Sequence, residues 1–194
     1  MHPLPRYFIL PLALCLLSSN IAHGAGVAIR WDKCFGDGGS AFKTFACNTT
    51  AGNNVAVLSF VPQDTLKGVV TIQYTIDIST ASSTLPPWWL TSCRPGFIQA
   101  VGMPLSPAIA CNDWTGGSLL GGLTSYSTST TSPSSARAVA TFSLNNATSV
   151  LLPGQEYFAG NLLITRARTT GLTTCSGCTT PACITERKKE RKKK

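Results

Sequence analysis

The chain has 194 residues, and its 16 lysine and arginine residues against 8 aspartate and glutamate residues give a formal net charge of +8. Hydrophobic residues make up 43% of it and charged residues only 12%, which favours one folded domain and argues against global disorder. Both histidines, His2 and His23, lie within the first 24 residues. If that segment is removed, the remaining chain has no histidine, which excludes Ser-His-Asp and Cys-His catalysis and histidine-ligated metal sites.

Residues 1–24 have the pattern of a signal peptide. Arg6 precedes an apolar run from Tyr7 to Leu17, and small residues around Ala22 and Gly24 provide a cleavage site. The apolar run is shorter than the roughly 20 residues that a membrane-spanning helix needs. The sequence therefore predicts export to the periplasm or the exterior, with removal of residues 1–24.

Strand patterns follow along the rest of the chain. The clearest is 68–79, where apolar residues alternate with polar ones, as expected for a strand with one buried face. Further strands are predicted at 27–31, 43–47, 55–61, 97–101, 137–144 and 156–165. Seven to eight short strands separated by Gly, Pro and Asn predict an all-β fold, an antiparallel β-sandwich over residues 25–185. The Ser/Thr-rich segment 124–135 is predicted to be a mobile loop or a long crossover.

Seven cysteines remain after the predicted cleavage, and in an exported chain they indicate a disulfide framework. They are Cys34, Cys47, Cys93, Cys111, Cys175, Cys178 and Cys183. Because seven is odd, at least one is expected to be unpaired or bonded to another chain. Short loops favour a bridge between Cys34 and Cys47. They also favour Cys93–Cys111, with a third bridge inside the C-terminal cluster. Spacing does not fix the connectivity, and a bridge from that cluster to Cys34 or Cys47 is an alternative.

The spacing of Cys175 and Cys178 also fits two sharper hypotheses, a redox CxxC motif and part of a zinc site. A redox motif opens a helix that lowers the thiol pKa, and the Gly, Thr and Pro residues here show no helical pattern. Export favours disulfides over zinc. No metal or cofactor is therefore predicted.

Aromatic and acidic residues are the candidates for ligand binding. Trp88 and Trp89 follow two prolines, and Trp114 stands beside Asp113. Exposed rings stack on sugars, although aromatic residues more often pack in a core. Asp77 and Asp113 are candidates for the two carboxylates of a glycosidase-like hydrolase, with solvated or turn carboxylates as the alternative. No spacing marks a catalytic pair, so no catalytic residue is assigned.

The C-terminal residues 186–194 are predicted to form a basic disordered tail. Its basic side chains are Arg187, Lys188, Lys189, Arg191, Lys192, Lys193 and Lys194. Such a run can contact anionic surfaces such as phospholipid headgroups or acidic polysaccharide, or it is simply a solvated terminus. No aromatic residues interleave it, so specific nucleic-acid binding is not predicted.

Several short motifs occur together along the chain. They include Trp31-Asp32-x-Cys34, Phe45-Ala46-Cys47-Asn48-Thr49 and Cys175-x-Gly177-Cys178-x-x-Pro181-x-Cys183-Ile184. In this combination the chain resembles a set of uncharacterised secreted bacterial proteins. The resemblance implies bacterial export and a single domain, and it implies no activity. It also implies an apolar, strand-like segment after the last cysteine, whereas here Thr185 leads straight into the charged run.

The function expected from these observations is non-catalytic. The chain is predicted to be an exported domain with a cell-surface, matrix, polysaccharide-binding or structural role. One alternative is a small carboxylate-dependent extracellular hydrolase. Another is adhesion to anionic surfaces through the cationic tail.

Overall fold

A computed structural model describes residues 26–105, 111–145 and 150–187. The predicted signal peptide and tail residues 188–194 lie outside these ranges. Within the described ranges the structure has eight strands and one short 3-10 helix, Pro87–Trp89. The strands are β1 (Gly26–Trp31), β2 (Asn53–Val61), β3 (Thr71–Thr80), β4 (Ile98–Val101), β5 (Leu120–Thr128), β6 (Ser135–Ser143), β7 (Tyr157–Thr165) and β8 (Ala182–Glu186).

All eight strands belong to one antiparallel sheet in the order β1-β2-β7-β4-β5-β6-β3-β8. The two edge strands, β1 and β8, lie close to each other, so the sheet is nearly closed around one core. The predicted all-β antiparallel class is confirmed. The pairing gives a single sheet, and a division into two facing sheets is not confirmed.

The antiparallel order fixes two ends of the sheet. Odd-numbered strands run one way and even-numbered strands the other, so successive connections alternate between the ends. The connections 32–52, 81–97, 129–134 and 166–181 share what we call the stapled end. The connections 62–70, 102–119 and 144–156 share the opposite end, where β1 also begins and toward which β8 runs.

The core follows from the alternation of the strands. Tyr74, Ile76 and Ile78 of β3 are buried, and they pair with buried alanines of β6. The small alanines leave room for larger side chains from other strands. Gly160 of β7 is required by the same packing, because a Cβ there would lie 2.5 Å from the ring of Phe142.

Three disulfide bonds join six of the seven described cysteines to one another, and they differ from the favoured pairing. The bonds are Cys34–Cys111, Cys47–Cys178 and Cys93–Cys175. The predicted Cys34–Cys47 and Cys93–Cys111 bridges are therefore wrong, as is a bridge within the C-terminal cluster. The alternative, a bond from that cluster to Cys47, is confirmed. Cys183 is also disulfide-bonded, and none of the seven described cysteines is a free thiol.

The pairing has a topological reason. Cys47, Cys93, Cys175 and Cys178 all lie in connections at the stapled end, so strand order brings together residues that are far apart in sequence. Cys34 instead joins Cys111 across the outer face of the sheet. There it packs with Val57 and Phe158, which explains why β7 is buried on both faces.

The predicted elements are partly confirmed. Strands overlap the predictions at 27–31, 55–61, 68–79, 97–101, 137–144 and 156–165, but 43–47 is not a strand. The predicted loop 124–135 is wrong for half of its length, because β5 extends to Thr128 and β6 begins at Ser135, and only 129–134 connects the two strands. Strand β8 contains Cys183 and ends at Glu186, so the first residue of the predicted tail 186–194 belongs to a strand.

Candidate functional site

Trp88 and Trp89 lie in the core at the stapled end. The 3-10 helix that carries them follows Pro86, and the two side chains are 0% and 1% exposed. Their rings meet edge to face, and both lie against the ring of Phe45. The Trp88 indole Nε1 donates a hydrogen bond to Thr169 Oγ1 at 3.3 Å. Neither ring offers a face to a sugar, so the structure fits core packing rather than surface stacking.

Arg94 is the residue that sequence reasoning missed at this end. It is 1% exposed, and its guanidinium lies 3.8 Å from the centre of the Trp88 ring. It donates from Nε to the carbonyl of Ala167 at 2.8 Å and from Nη1 to the carbonyl of Trp88 at 2.7 Å. Nη2 donates to the carbonyl of Thr165. Burial lowers the pKa of Arg94 to about 10. Nothing in the sequence marks an arginine as buried.

Asp113 and Trp114 are held in a turn beside β7. Asp113 Oδ1 accepts from the backbone N–H and the hydroxyl of Thr115, at 3.0 and 2.7 Å, and Oδ2 accepts from the N–H of Gly117 at 2.7 Å. The Trp114 indole donates to the carbonyl of Phe158 at 2.8 Å, and its ring is 9% exposed. These contacts are those of a turn that is anchored to the core.

Asp77 lies elsewhere, on the solvent face of β3. Both of its carboxylate oxygens accept hydrogen bonds from Arg137 of β6, at 2.7 and 3.1 Å. The turn of Asp113 packs beside β7, four strands away in the sheet order. The structure therefore does not bring Asp77 and Asp113 together across one groove.

Glu156 forms a cluster with Cys34 and Cys111 in which the possible ligand atoms lie within 4.8 Å of one another. The two sulfur atoms are bonded to each other, so they are not thiolate ligands. The Glu156 carboxylate accepts from the N–H groups of Phe35 and Gly36, at 3.0 and 2.6 Å, and from the hydroxyl of Ser59 at 2.5 Å. The cluster therefore fastens the segment after β1 to the start of β7.

A groove opens beside the end of β8, and we call it the edge groove. It has a volume of about 250 Å³ and is lined by Gly26, Val27, Gln73, Tyr74, Thr75, Glu186 and Arg187. β8 ends opposite Ile76, in the middle of β3. Beyond that point the N-terminal half of β3 pairs only with β6 among the described residues. The groove therefore continues the path of β8 between the edges of β3 and β1.

The groove presents both backbone groups and charges. The N–H of Arg187 donates to the carbonyl of Thr75 at 2.7 Å, which is the last described contact along this edge of β3. Glu186 is partly buried, and burial raises its pKa. Tyr74 forms the floor, and its hydroxyl donates to the carbonyl of Ser59 at 2.7 Å. Burial raises the pKa of Tyr74, and the charges of Glu186 and Glu156 raise it further.

Sequence patterns did not predict the edge groove, because its lining residues come from three separate strands and the residue after β8. The strand pattern at 68–79 locates its β3 wall, but only the strand pairing shows that the described part of β8 ends opposite Ile76.

Comparisons with known proteins add no assignment. No family model matches the chain, and searches of the curated proteins and of the solved structures return no match. Within the described ranges, no helix has the length and apolar character to cross a membrane.

Proposed function

We propose that the protein is an exported, non-catalytic domain, and that it binds an extended peptide segment in the edge groove. The observation that carries the proposal is the backbone edge of β3 before Thr75, which has no strand partner among the described residues on the side of β8. A free strand edge pairs readily with another chain, and peptide-binding domains use this mode of recognition. The three disulfides support export, because such bonds persist in oxidising compartments.

The groove lies on the path that β8 follows between β3 and β1. β8 occupies the path between β3 and β1 above the groove, where it pairs with β3 and lies close to β1. The groove is the continuation of that path, so a single added strand would fill it. Thr75 directs its carbonyl into the path, and in an antiparallel strand Gln73, two residues away, directs its backbone groups to the same side.

The chain's own continuation is a poor occupant of the groove. An extension of β8 in the observed register would place Lys188 opposite Tyr74 and Glu190 opposite Ile72. The side chain of Tyr74 is buried, so these two charges would face the interior, which is costly without partners. A segment with apolar residues at those alternate positions fits better. We therefore expect the partner to supply an alternating apolar–polar strand.

The sandwich architecture is part of the same proposal. Only one residue pair, Val101 with Gly122, joins β4 to β5, so the sheet is weakly connected at its middle. Tyr74 of β3 also reaches the carbonyl of Ser59 on β2, and these strands are not neighbours in the sheet. Both observations support two halves, β1-β2-β7-β4 and β5-β6-β3-β8, facing each other across the core.

The alternatives have less support. The tryptophans considered for sugar binding are in the core, and the carboxylates considered for hydrolysis are each engaged in local contacts. A polysaccharide ligand or a hydrolytic reaction would need a site built from other residues.

Hydrogen exchange on the exported protein tests the proposal. The probe is a synthetic peptide of alternating valine and threonine with lysine at both ends. We expect it to slow exchange of the Gln73 and Val27 backbone amides, since these would become hydrogen-bonded in the added strand. Exchange rates that stay unchanged at a large excess of peptide would contradict the proposal.

A pair of variants at one position sharpens the test. Gln73→Pro removes the N–H that faces the groove, and proline is tolerated on an open strand edge. Gln73→Ala keeps that N–H and removes the exposed side chain together with its hydrogen bond to Thr141 Oγ1. We expect Gln73→Pro to weaken peptide binding by about tenfold, equivalent to one lost backbone hydrogen bond. Gln73→Ala should bind as the parent does, and equal loss in both variants would contradict strand addition.

A further inference from the structure

One end of the edge groove is closed by β8 itself. β8 fills the path between β3 and β1, and this path is occupied as far as Arg187, whose N–H donates to the carbonyl of Thr75 at 2.7 Å. A strand added in the groove therefore has to start, stop or turn away from the sheet at this point. The closed end favours the terminus of a chain over the middle of a longer segment.

Glu186 is the charged side chain that faces the groove at its closed end. It stands opposite Ile76, and residues directly opposite each other in an antiparallel pair lie on the same face of the sheet. Ile76 is fully buried, so the side chain of Glu186 also points inward, where it lines the groove. Strand alternation turns the next side chain, that of the exposed Arg187, to the outer face. The charge that a ligand meets inside the groove is therefore negative.

The carboxylate of Glu186 has no ion-pair partner among the described residues. The two ion pairs found within the described ranges involve other residues. Burial raises the pKa of Glu186, and the charge of Arg30 opposes this shift, but the Arg30 guanidinium donates to the carbonyl of Ile29 at 3.0 Å instead. A partly buried carboxylate without a bound cation is costly, so a ligand that supplies a cation there gains affinity.

We infer that Glu186 binds the free N-terminal ammonium of a peptide strand that lies antiparallel to β3 in the edge groove. A strand that continues the direction of β8 begins at the closed end, so its N-terminus lies next to Glu186. A strand in the opposite direction would place its C-terminal carboxylate there, where the like charge of Glu186 would repel it. The inference rests on the proposed function, because it names the class of peptide that the groove takes.

An N-terminal ammonium also fits the apolar character expected of the ligand strand. The cation is carried by the backbone and is protonated at neutral pH. The first side chain of the ligand can therefore be apolar above Tyr74, which forms the floor of the groove. A lysine side chain at this position would instead point its charge toward the interior.

Titration calorimetry with a matched pair of peptides tests the inference on the exported protein. Both peptides have the sequence Val-Thr-Val-Thr-Val-Lys with an amidated C-terminus, and one has a free N-terminal amine whereas the other is acetylated. We expect acetylation to weaken binding to the parent by about tenfold or more at neutral pH, as for the loss of one hydrogen bond to a charged group. This comparison needs no protein variant, so it does not depend on how a variant folds.

Two variants locate the effect. Glu186→Gln should weaken binding of the free-amine peptide by about tenfold and leave binding of the acetylated peptide unchanged. Asp77→Asn is the matched control, because it makes the same change in net charge on the outer face of β3, where Asp77 accepts hydrogen bonds from Arg137. It should bind both peptides as the parent does. An equal loss in Asp77→Asn would show a general charge effect and overturn the inference.

The remaining outcomes separate this inference from the proposed function. Equal or tighter binding of the acetylated peptide to the parent would overturn the role of Glu186 and leave strand addition standing. An equal loss for both peptides in Glu186→Gln would show that Glu186 supports the groove rather than the ammonium, which also overturns the inference. Absence of binding by either peptide, with unchanged hydrogen exchange at Gln73, would overturn the proposed function and this inference with it.

Discussion

The two ends of the sheet differ in how their connections are held and in which side chains they expose. At the stapled end, two disulfides tie three long connections together, and Trp88, Trp89 and Arg94 are buried beneath them. At the opposite end, which we call the apolar end, large hydrophobic side chains are exposed on or beside the connections: Val70, Met103, Leu105, Leu120, Val150 and Leu152. The stapled end therefore holds covalent and core interactions that fix the fold. This leaves the apolar end free to expose hydrophobic residues, which contribute little to stability.

The Cys34–Cys111 disulfide bonds a connection at one end of the sheet to a connection at the other. Cys34 follows β1 at the stapled end, whereas Cys111 lies in the connection between β4 and β5 at the apolar end. The hydrogen bonds from Phe35, Gly36 and Ser59 to Glu156 fasten the same region to β7. These contacts cover the outer face of β2 and β7. The two ends therefore differ in their connections rather than in the sheet itself.

The largest expected effect is the loss of the Cys47–Cys178 bond. It joins residues 131 apart in sequence, the widest separation among the three bonds between described cysteines, so of these three its removal frees the unfolded chain most. We expect Cys47→Ala with Cys178→Ala to lower the free energy of unfolding by about 5 kcal/mol on chain-entropy grounds. Urea unfolding followed by tryptophan fluorescence measures this. A loss below about 1 kcal/mol would show that the stapled end does not depend on this bond.

The next largest loss in the free energy of unfolding is expected when Arg94 is replaced. Arg94→Met keeps much of the volume but leaves three backbone carbonyls without their donor, which should cost about 3 kcal/mol in the free energy of unfolding. Arg94→Lys should cost at least as much, because an ammonium cannot reproduce the planar fork or the stacking on Trp88. Urea unfolding compares the two variants. Parent-like stability of Arg94→Lys would mean that the charge alone is what this site requires.

The sequence predicted the regularly alternating strands and failed where neighbours in space decide the structure. Alternation located β3, since each buried residue is followed by a polar one. The second half of β5, residues 124–128, is predicted as a loop, because serine and threonine composition does not separate a solvent-exposed strand from a loop. Threonine is in fact well suited to strands. The disulfides were mispaired because loop length was considered without strand order. The burial of Arg94 had no signal in the sequence at all.

A smaller effect is expected at Tyr126, which joins β5 to the stapled end. Its hydroxyl donates to the carbonyl of Trp89 at 2.8 Å, so Tyr126→Phe should cost about 1 kcal/mol at neutral pH. Burial raises the pKa of Tyr126, and the charge of Arg94 only partly offsets this. The folded protein therefore holds the phenol proton more tightly than the unfolded chain. The stability that this proton contributes is present below the ordinary tyrosine pKa of about 10 and is lost as pH rises above it.

The measurement is urea unfolding of the parent and of Tyr126→Phe at neutral pH and above pH 10. We expect the difference between them to narrow on the alkaline side. The pKa of Arg94 is lowered, which acts in the opposite direction, but Arg94 is present in both proteins. A difference that stays constant with pH would show that the Tyr126 proton is not held by the fold.

The smallest expected effect lies at the apolar end, where two adjacent residues provide their own control. Leu151 is 1% exposed and Leu152 is 53% exposed, although both belong to the connection between β6 and β7. Leu151→Ala removes buried contacts and should cost about 3 kcal/mol in the free energy of unfolding. Leu152→Ala should change it by less than about 0.5 kcal/mol, because its side chain is already largely in water. A large loss for Leu152→Ala would mean that the apolar end supports the fold as the stapled end does. Near-neutrality would mean instead that stability does not require a hydrophobic residue at this position.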